Sequence, residues 1–216
     1  MKGNPMALHR LKFACAAFLV GALVSFSAKA DQNTPQQVVE KSYTVLLGIM
    51  KEARTLGYEG RFERLAPAVE ATFDLPYMAK RAAGSYWDKA SDDQRQRYVE
   101  AFGRMTTASL ATRFEEYKGE RFEMLGTEEK SPTSVLVKTR LVETDGHTVP
   151  IDYVMQNLDG SWKVTDIFTM GSVSEVAVKT ADYAAVLRNG GIDALAGALD
   201  NKVVALAEEE KQSEGK

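Results

Sequence analysis

The sequence predicts an α+β domain: a four-stranded antiparallel meander with one wet face, its other face covered by N-terminal and C-terminal helices. Three observations carry this. Apolar residues follow helical spacing up to about Tyr117 and alternate after Gly119. Asp145-Gly146 and Asp159-Gly160, both strong hairpin signals, separate the alternating runs. Helical spacing then returns from about Ser174.

The elements follow in order. Thr34-Pro35-Gln36-Gln37 is a capping box with proline at the first helical position. It opens a helix to about Leu56, with Val38, Val39, Val45, Leu46, Ile49, Met50 and Ala53 inward and Gly57 and Gly60 breaking it. A short helix is expected over Arg61 to Thr72, bent at Pro67. Asp74 caps another, with Pro76 in its first turn and Gly84 at its end. Ser91-Asp92-Asp93-Gln94, a second capping box, opens the longest helix, to about Tyr117, with Tyr98, Phe102, Met105 and Ser109 in register. The strands are then Arg121 to Leu125, a run around Val135 to Leu141, one around Val149 to Met155, and one from Trp162 to Met170. Helices over Ser174 to Arg188 and Ile192 to Lys211 are separated by Gly190-Gly191, and a charged tail from Glu208 to Lys216 is expected to fray.

Ahead of this domain, Lys2, Arg10 and Lys12 precede an apolar run of 14 residues, Phe13 to Phe26, and then Ala28-Lys29-Ala30. The run is short for a membrane span and the triplet suits secretory cleavage, so residues 1–30 read as a removable signal peptide and 31–207 as one domain outside the cytoplasm. Cleavage before Asp31 moves the formal charge from −3 to −7 and removes Cys15, the only cysteine. No disulfide can then support the fold, and 186 residues suffice for a packed core. A single remaining histidine, His147, argues against a His/Cys zinc site, and the acidic balance argues against nucleic acid as a partner.

Catalytic signals are sparse. There is no Gly-x-Ser-x-Gly, P-loop or dinucleotide fingerprint. Ser172 or Ser174 reads as a helix cap and His147 as a solvated edge residue. Asp166 shares strand parity with Trp162, Val164, Phe168 and Met170, so it calls for buried hydrogen bonds, to a helix start near Gly171 to Ser174 or to an arginine. A hydrolase built on Asp152 or Asp166 would lack every recognised motif. The stronger signal is aromatic and methionine content. Phe73, Met78 and Trp87, then Phe102, Met105 and Phe114, then Tyr153, Met155, Phe168 and Met170 come together if the sheet packs on the helices. They fit an ordinary core or the lining of a deformable apolar pocket, and periodicity does not separate the two.

The order Phe73-Asp74, Gly84, Trp87, the helix with Tyr98 and Phe102, Pro150-Ile151-Asp152-Tyr153, Trp162-Lys163-Val164-Thr165-Asp166-Ile167 and Gly190-Gly191-Ile192-Asp193-Ala194-Leu195 resembles the MlaC/Ttg2D family of periplasmic lipid carriers. The stretch Val173-Ser174-Glu175-Val176-Ala177 with Lys179 and Tyr183 looks more like its hopanoid-associated HpnM branch, although Thr180 does not supply a second basic residue there. The resemblance implies a non-enzymatic shuttle with no cofactor, its cargo held between sheet and helices. A glycerophospholipid fits the wider family, a hopanoid the branch. The implied partners are an inner-membrane MCE-domain complex driven by an ATPase and an outer-membrane lipoprotein complex, with the carrier itself monomeric. The competing reading is a periplasmic chaperone or adaptor for apolar protein segments.

Overall fold

A computed structural model describes residues 33–214; the leader expected over 1–30 lies outside them. Four helices come first: α1 (Pro35–Lys51), α2 (Ala53–Thr72), α3 (Leu75–Ala83) and α4 (Asp92–Arg113). Both capping boxes close as read, Thr34 with Gln37 and Ser91 with Gln94. Asp74 accepts from the Tyr77 amide at the start of α3, and Gly84 ends it at φ 55. The first break falls earlier than expected. The chain leaves helical geometry at Glu52 and again at Gly57, whose φ of 60 and ψ of −178 favour glycine, while Gly60 and Pro67 lie within α2.

The sheet follows in meander order: β1 (Arg121–Ser131), β2 (Ser134–Val142), β3 (Thr148–Leu158), β4 (Ser161–Thr169) and β5 (Val173–Ser174). It has five strands, not the expected four. Met170 and Gly171, both at positive φ, turn the chain back so that Val173 and Ser174 pair with Thr169 and Phe168. Two residues are too few for alternation to reveal a strand. β1 also runs past Leu125, because Glu128, Glu129 and Lys130 extend an exposed edge that has no apolar alternation.

The last helix, α5 (Glu175–Glu214), breaks at Gly191, where φ is 67 and ψ is −160. The stretch from Glu208, expected to fray, stays helical to Glu214. Glu210 is buried there, 2.7 Å from Arg61, whose guanidinium also donates to the Ala111 carbonyl. A buried pair so tied holds the end of α5 against α2 and α4.

One face of the sheet packs on the helices. Val135 pairs with Met155, Val137 with Tyr153 and Thr139 with Ile151 across β2 and β3. The buried residues form two clusters. One joins the sheet to Val39, Tyr43, Val69, Met78, Tyr98, Phe102 and the first half of α5. The other joins Leu46, Ile49, Met50, Tyr58 and Leu65 to Ala108 and Ala111. Leu110 and Phe122 touch both.

Candidate functional site

A cavity of about 190 Å³ lies at the seam between these two clusters. Its apolar wall comes from Tyr43 and Leu46 on α1, Leu65 and Val69 on α2, Phe73 and Met78, and Phe122, Ile151, Tyr153 and Ile167 on the sheet. The opposite wall is more polar. Thr106, Ser109, Leu110 and Arg113 recur on one stripe of α4 and face Glu175 and Lys179 of α5. Side-chain size explains the space. The inner face of α4 is filled by Tyr98 and Phe102, both almost fully buried, and then narrows to the hydroxyls of Thr106 and Ser109. These bond back to the Phe102 and Met105 carbonyls within their own helix.

Aromatic rings stiffen the apolar side. Tyr43 stacks on Phe122 with centroids 3.9 Å apart and meets Tyr153 edge-on at 5.9 Å. Phe114 meets Phe122 at 6.4 Å. Thr139 Oγ1 donates to the Ile151 carbonyl, so it accepts from Tyr43 Oη, 2.5 Å away. Burial pushes the Tyr43 phenol up to about 12 and raises that of Tyr153 well above its ordinary value, so both stay neutral. The cavity adjoins a wider groove of about 590 Å³ and shares Arg113, Phe114, Ile151, Thr169 and Glu175 with it. Glu115, Glu116, Glu120 and Glu143 line that groove.

Of the ten residues read as lipid-binding, the cavity gathers Phe73, Met78, Phe114 and Tyr153. The other six lie outside it, Met170 among them on the adjoining groove. Met155 is fully buried against Val164 and Val135, in solid core. Phe102 packs on Tyr98 with centroids 6.1 Å apart, and Met105 packs half-buried against the first cluster. Trp87 lies beyond α3, under the Arg95 guanidinium. Phe168 and Met170 are displaced by a bulge in β4. Val164 pairs with Met155 but Asp166 pairs with Val154, so Thr165 is an extra residue. Beyond it the parity flips. Ile167 and Thr169 face the cavity, opposite Tyr153 and Ile151, while Asp166 and Phe168 face away. Met170 follows the strand and is 70% exposed.

Asp166 nevertheless accepts three hydrogen bonds: from its neighbour's Ile167 amide at 2.8 Å, from the Val176 amide in the first turn of α5 at 3.1 Å and from Ser174 Oγ at 2.6 Å. Ser174 in turn accepts from the Ala177 amide. The start of α5, and with it Glu175 and Lys179, is thereby fastened to β4. On the same strand Lys163 Nζ donates to the last carbonyls of α2, Glu70 and Ala71, fixing the opposite wall.

Sequence reasoning missed Tyr43, Leu46, Thr106, Arg113, Phe122, Ile167 and Lys179 as cavity residues. A detectable signal was the change along α4 from aromatic to small hydroxyl side chains on one inward stripe. The bulge that brings Ile167 inward carries no glycine or proline to mark it.

The described residues hold no cluster of three or more histidine, aspartate or glutamate side chains suited to a metal ion. No described helix is long and apolar enough to cross a membrane. The fold is similar to a phospholipid-binding protein from Ralstonia solanacearum solved in complex with a phospholipid. The TM-score is 0.71 at 20% identity, over 81% of this chain and 99% of that one. Among curated relatives, the intermembrane phospholipid transport system binding protein MlaC of Haemophilus influenzae is 24% identical over 56% of this chain and 58% of its own length. The toluene tolerance protein ttg2D of Pseudomonas putida is 25% identical over 64% and 66% respectively, so this chain spans less than two thirds of either relative. The profile of the family described as MlaC protein matches residues 40–201, and the chain therefore belongs to the MlaC family.

Proposed function

We propose that this protein is a soluble, non-enzymatic lipid carrier that holds the tails of a phospholipid in the cavity between sheet and helices and moves it between membranes. One observation carries the reading: an apolar cavity sits at the seam of two core clusters, walled by Leu46, Leu65, Val69, Phe73, Met78 and Ile167, and adjoins a wider groove beside the charged Arg113 and Glu175. Members of the MlaC family are lipid-binding transport proteins, not enzymes. At about 190 Å³ the cavity is small for a ligand of that size, and the adjoining groove brings the available space into the range of ligand pockets. Loading two acyl chains requires the clusters to part along the seam.

The energetics call for a carrier. Each methylene withdrawn from water contributes about 0.8 kcal/mol, so two long chains hold roughly 20 kcal/mol against free diffusion. The periplasm is the compartment that matches the leader-like residues 1–30. Inner-membrane MCE-domain and ATPase components and an outer-membrane lipoprotein complex are the proposed docking partners, with a monomer moving between them. A hopanoid is the alternative cargo, favoured by the HpnM-like stretch Val173 to Ala177.

The test is direct. Purify the protein from cells that make the full chain, extract it with organic solvent and identify bound lipid by mass spectrometry. Then measure uptake from vesicles. Stoichiometric phospholipid is expected. A protein that is consistently lipid-free and takes up none from vesicles refutes the reading, and a hopanoid in the extract replaces the cargo.

A further inference from the structure

Half of the cationic side chains among the described residues sit in ion pairs, Arg61 with Glu210 included. Arg64, Arg95, Arg97, Arg104, Arg121, Arg140, Lys118, Lys130, Lys138 and Lys211 all sit in ion pairs. The two cations of the cavity wall differ. Arg113 and Lys179 join no hydrogen bond or ion pair among the described residues, although both line the cavity. Lys179 is half-buried, and its Nζ lies 5.7 Å from the centroid of the Phe102 ring. Glu175, one turn earlier on α5, lies in the same wall, and its Oε1 accepts from Thr169 Oγ1 at 3.5 Å.

We propose that Lys179 and Arg113 form a subsite for the phosphate of a lipid head group at the mouth of the cavity, so that the carrier selects phosphate-bearing lipids over neutral ones with the same tails. The proposal rests on the lipid-carrier reading. A half-buried ammonium with no carboxylate in direct contact is only partly compensated, and an anion arriving with its tails already in the apolar wall would relieve it. Arg113 adds a fork of donors suited to phosphate oxygens. The electrostatics agree. Burial pulls the Lys179 ammonium below its ordinary pKa, Arg113 pulls it the same way, and Glu175 and Asp182 offset this only in part. A phosphate shared by the two cations would remove their mutual repulsion. Outside the mouth, Glu115, Glu116, Glu120 and Glu143 line the groove. They repel a free anion in solution, and they suit a zwitterionic head group whose amine points outward.

The test uses the full chain purified from cells, stripped of lipid and incubated with vesicles of phosphatidylethanolamine and diacylglycerol of identical acyl chains in equal amounts. Bound lipid is extracted and the ratio of the two is measured. Wild type is expected to be enriched at least tenfold in the phospholipid. Lys179→Met, which keeps the stem over Phe102, and Arg113→Gln, at an exposed position, should each reduce the enrichment several-fold, and Lys179→Arg should restore most of it. Melting curves identify any variant that fails to fold, and Arg113→Gln then carries the comparison. Equal loading of both lipids by wild type, or full enrichment in both charge-removing variants, overturns the subsite while leaving the carrier intact. No loading of either lipid overturns the carrier reading and the subsite with it. Millimolar inorganic phosphate should leave wild-type melting unchanged. A rise in melting temperature that Lys179→Met abolishes would mark a free-phosphate site and overturn the head-group assignment.

Discussion

Asp166→Ala is expected to loosen the joint between β4 and α5. The carboxylate is 4% exposed and accepts from the Ile167 and Val176 amides and from Ser174 Oγ. Alanine leaves two backbone donors without an acceptor, one of them on Val176, which is itself buried. Each stranded donor costs about 1–3 kcal/mol. Ser174 keeps its bond from the Ala177 amide, so its loss is smaller. The two donors together cost roughly 2–6 kcal/mol. In a domain of this size about 1 kcal/mol shifts the melting temperature by roughly 2–4 °C, so the Ala variant should melt about 4–24 °C lower. Asp166→Asn keeps one acceptor oxygen and the side-chain shape, and should lose roughly half as much. Thermal and urea unfolding followed by circular dichroism measure both, with an unchanged urea slope showing that stability alone moved. Lipid bound per folded molecule should stay at the wild-type level. An Ala variant melting within about 2 °C of wild type refutes the hydrogen-bond argument. A stable Ala variant that has lost lipid moves Asp166 from the scaffold into the site.

Three further outcomes follow from the geometry. Ser109→Phe should fill the cavity from the α4 side and cut lipid occupancy several-fold while the fold persists, as read by mass spectrometry and melting; full occupancy would misplace the pocket. Met155→Ala should destabilise by about 2–5 kcal/mol in urea unfolding and leave lipid selectivity intact, because Met155 is fully buried in core rather than in the cavity wall. Lys179→Met should be more stable than wild type at pH 7. The folded-state pKa of Lys179 lies below the ordinary lysine value, so the unfolded chain binds that proton more tightly. The wild-type penalty is therefore complete below the folded pKa and fades as pH rises toward about 10.5, where the two proteins should converge; a gap independent of pH would point to packing instead of charge.

Much of the scaffold was legible because local rules govern it. Thr34, Asp74 and Ser91 cap the helices that their spacing announced, Gly57, Gly84 and Gly191 take backbone angles at which the helices break or end, and Asp145-Gly146 and Asp159-Gly160 turn between strands. Tyr153 and Met155 on β3 share a buried face with Val135, Val137 and Thr139 on β2 for the same reason, since an unbroken strand keeps its period of two. The site was only partly legible. Phe73, Met78, Phe114 and Tyr153 reach the cavity, but one extra residue at Thr165 reverses every later side chain of β4, exchanging Phe168 for Ile167.

The sequence by itself determined the order of helices and strands, most of their ends and which residues are apolar enough to be buried, because capping, turn chemistry and periodicity act over a few residues. Only the tertiary structure decided where burial leaves space. Phe102 and Met155 have the same chemistry as Phe114 and Met78, yet the first pair fills core and the second lines the cavity. A void is a property of facing surfaces. It forms where Thr106 and Ser109 on α4 meet Tyr43 and Leu46 on α1, residues 60 or more positions apart in sequence, and no local pattern records that meeting.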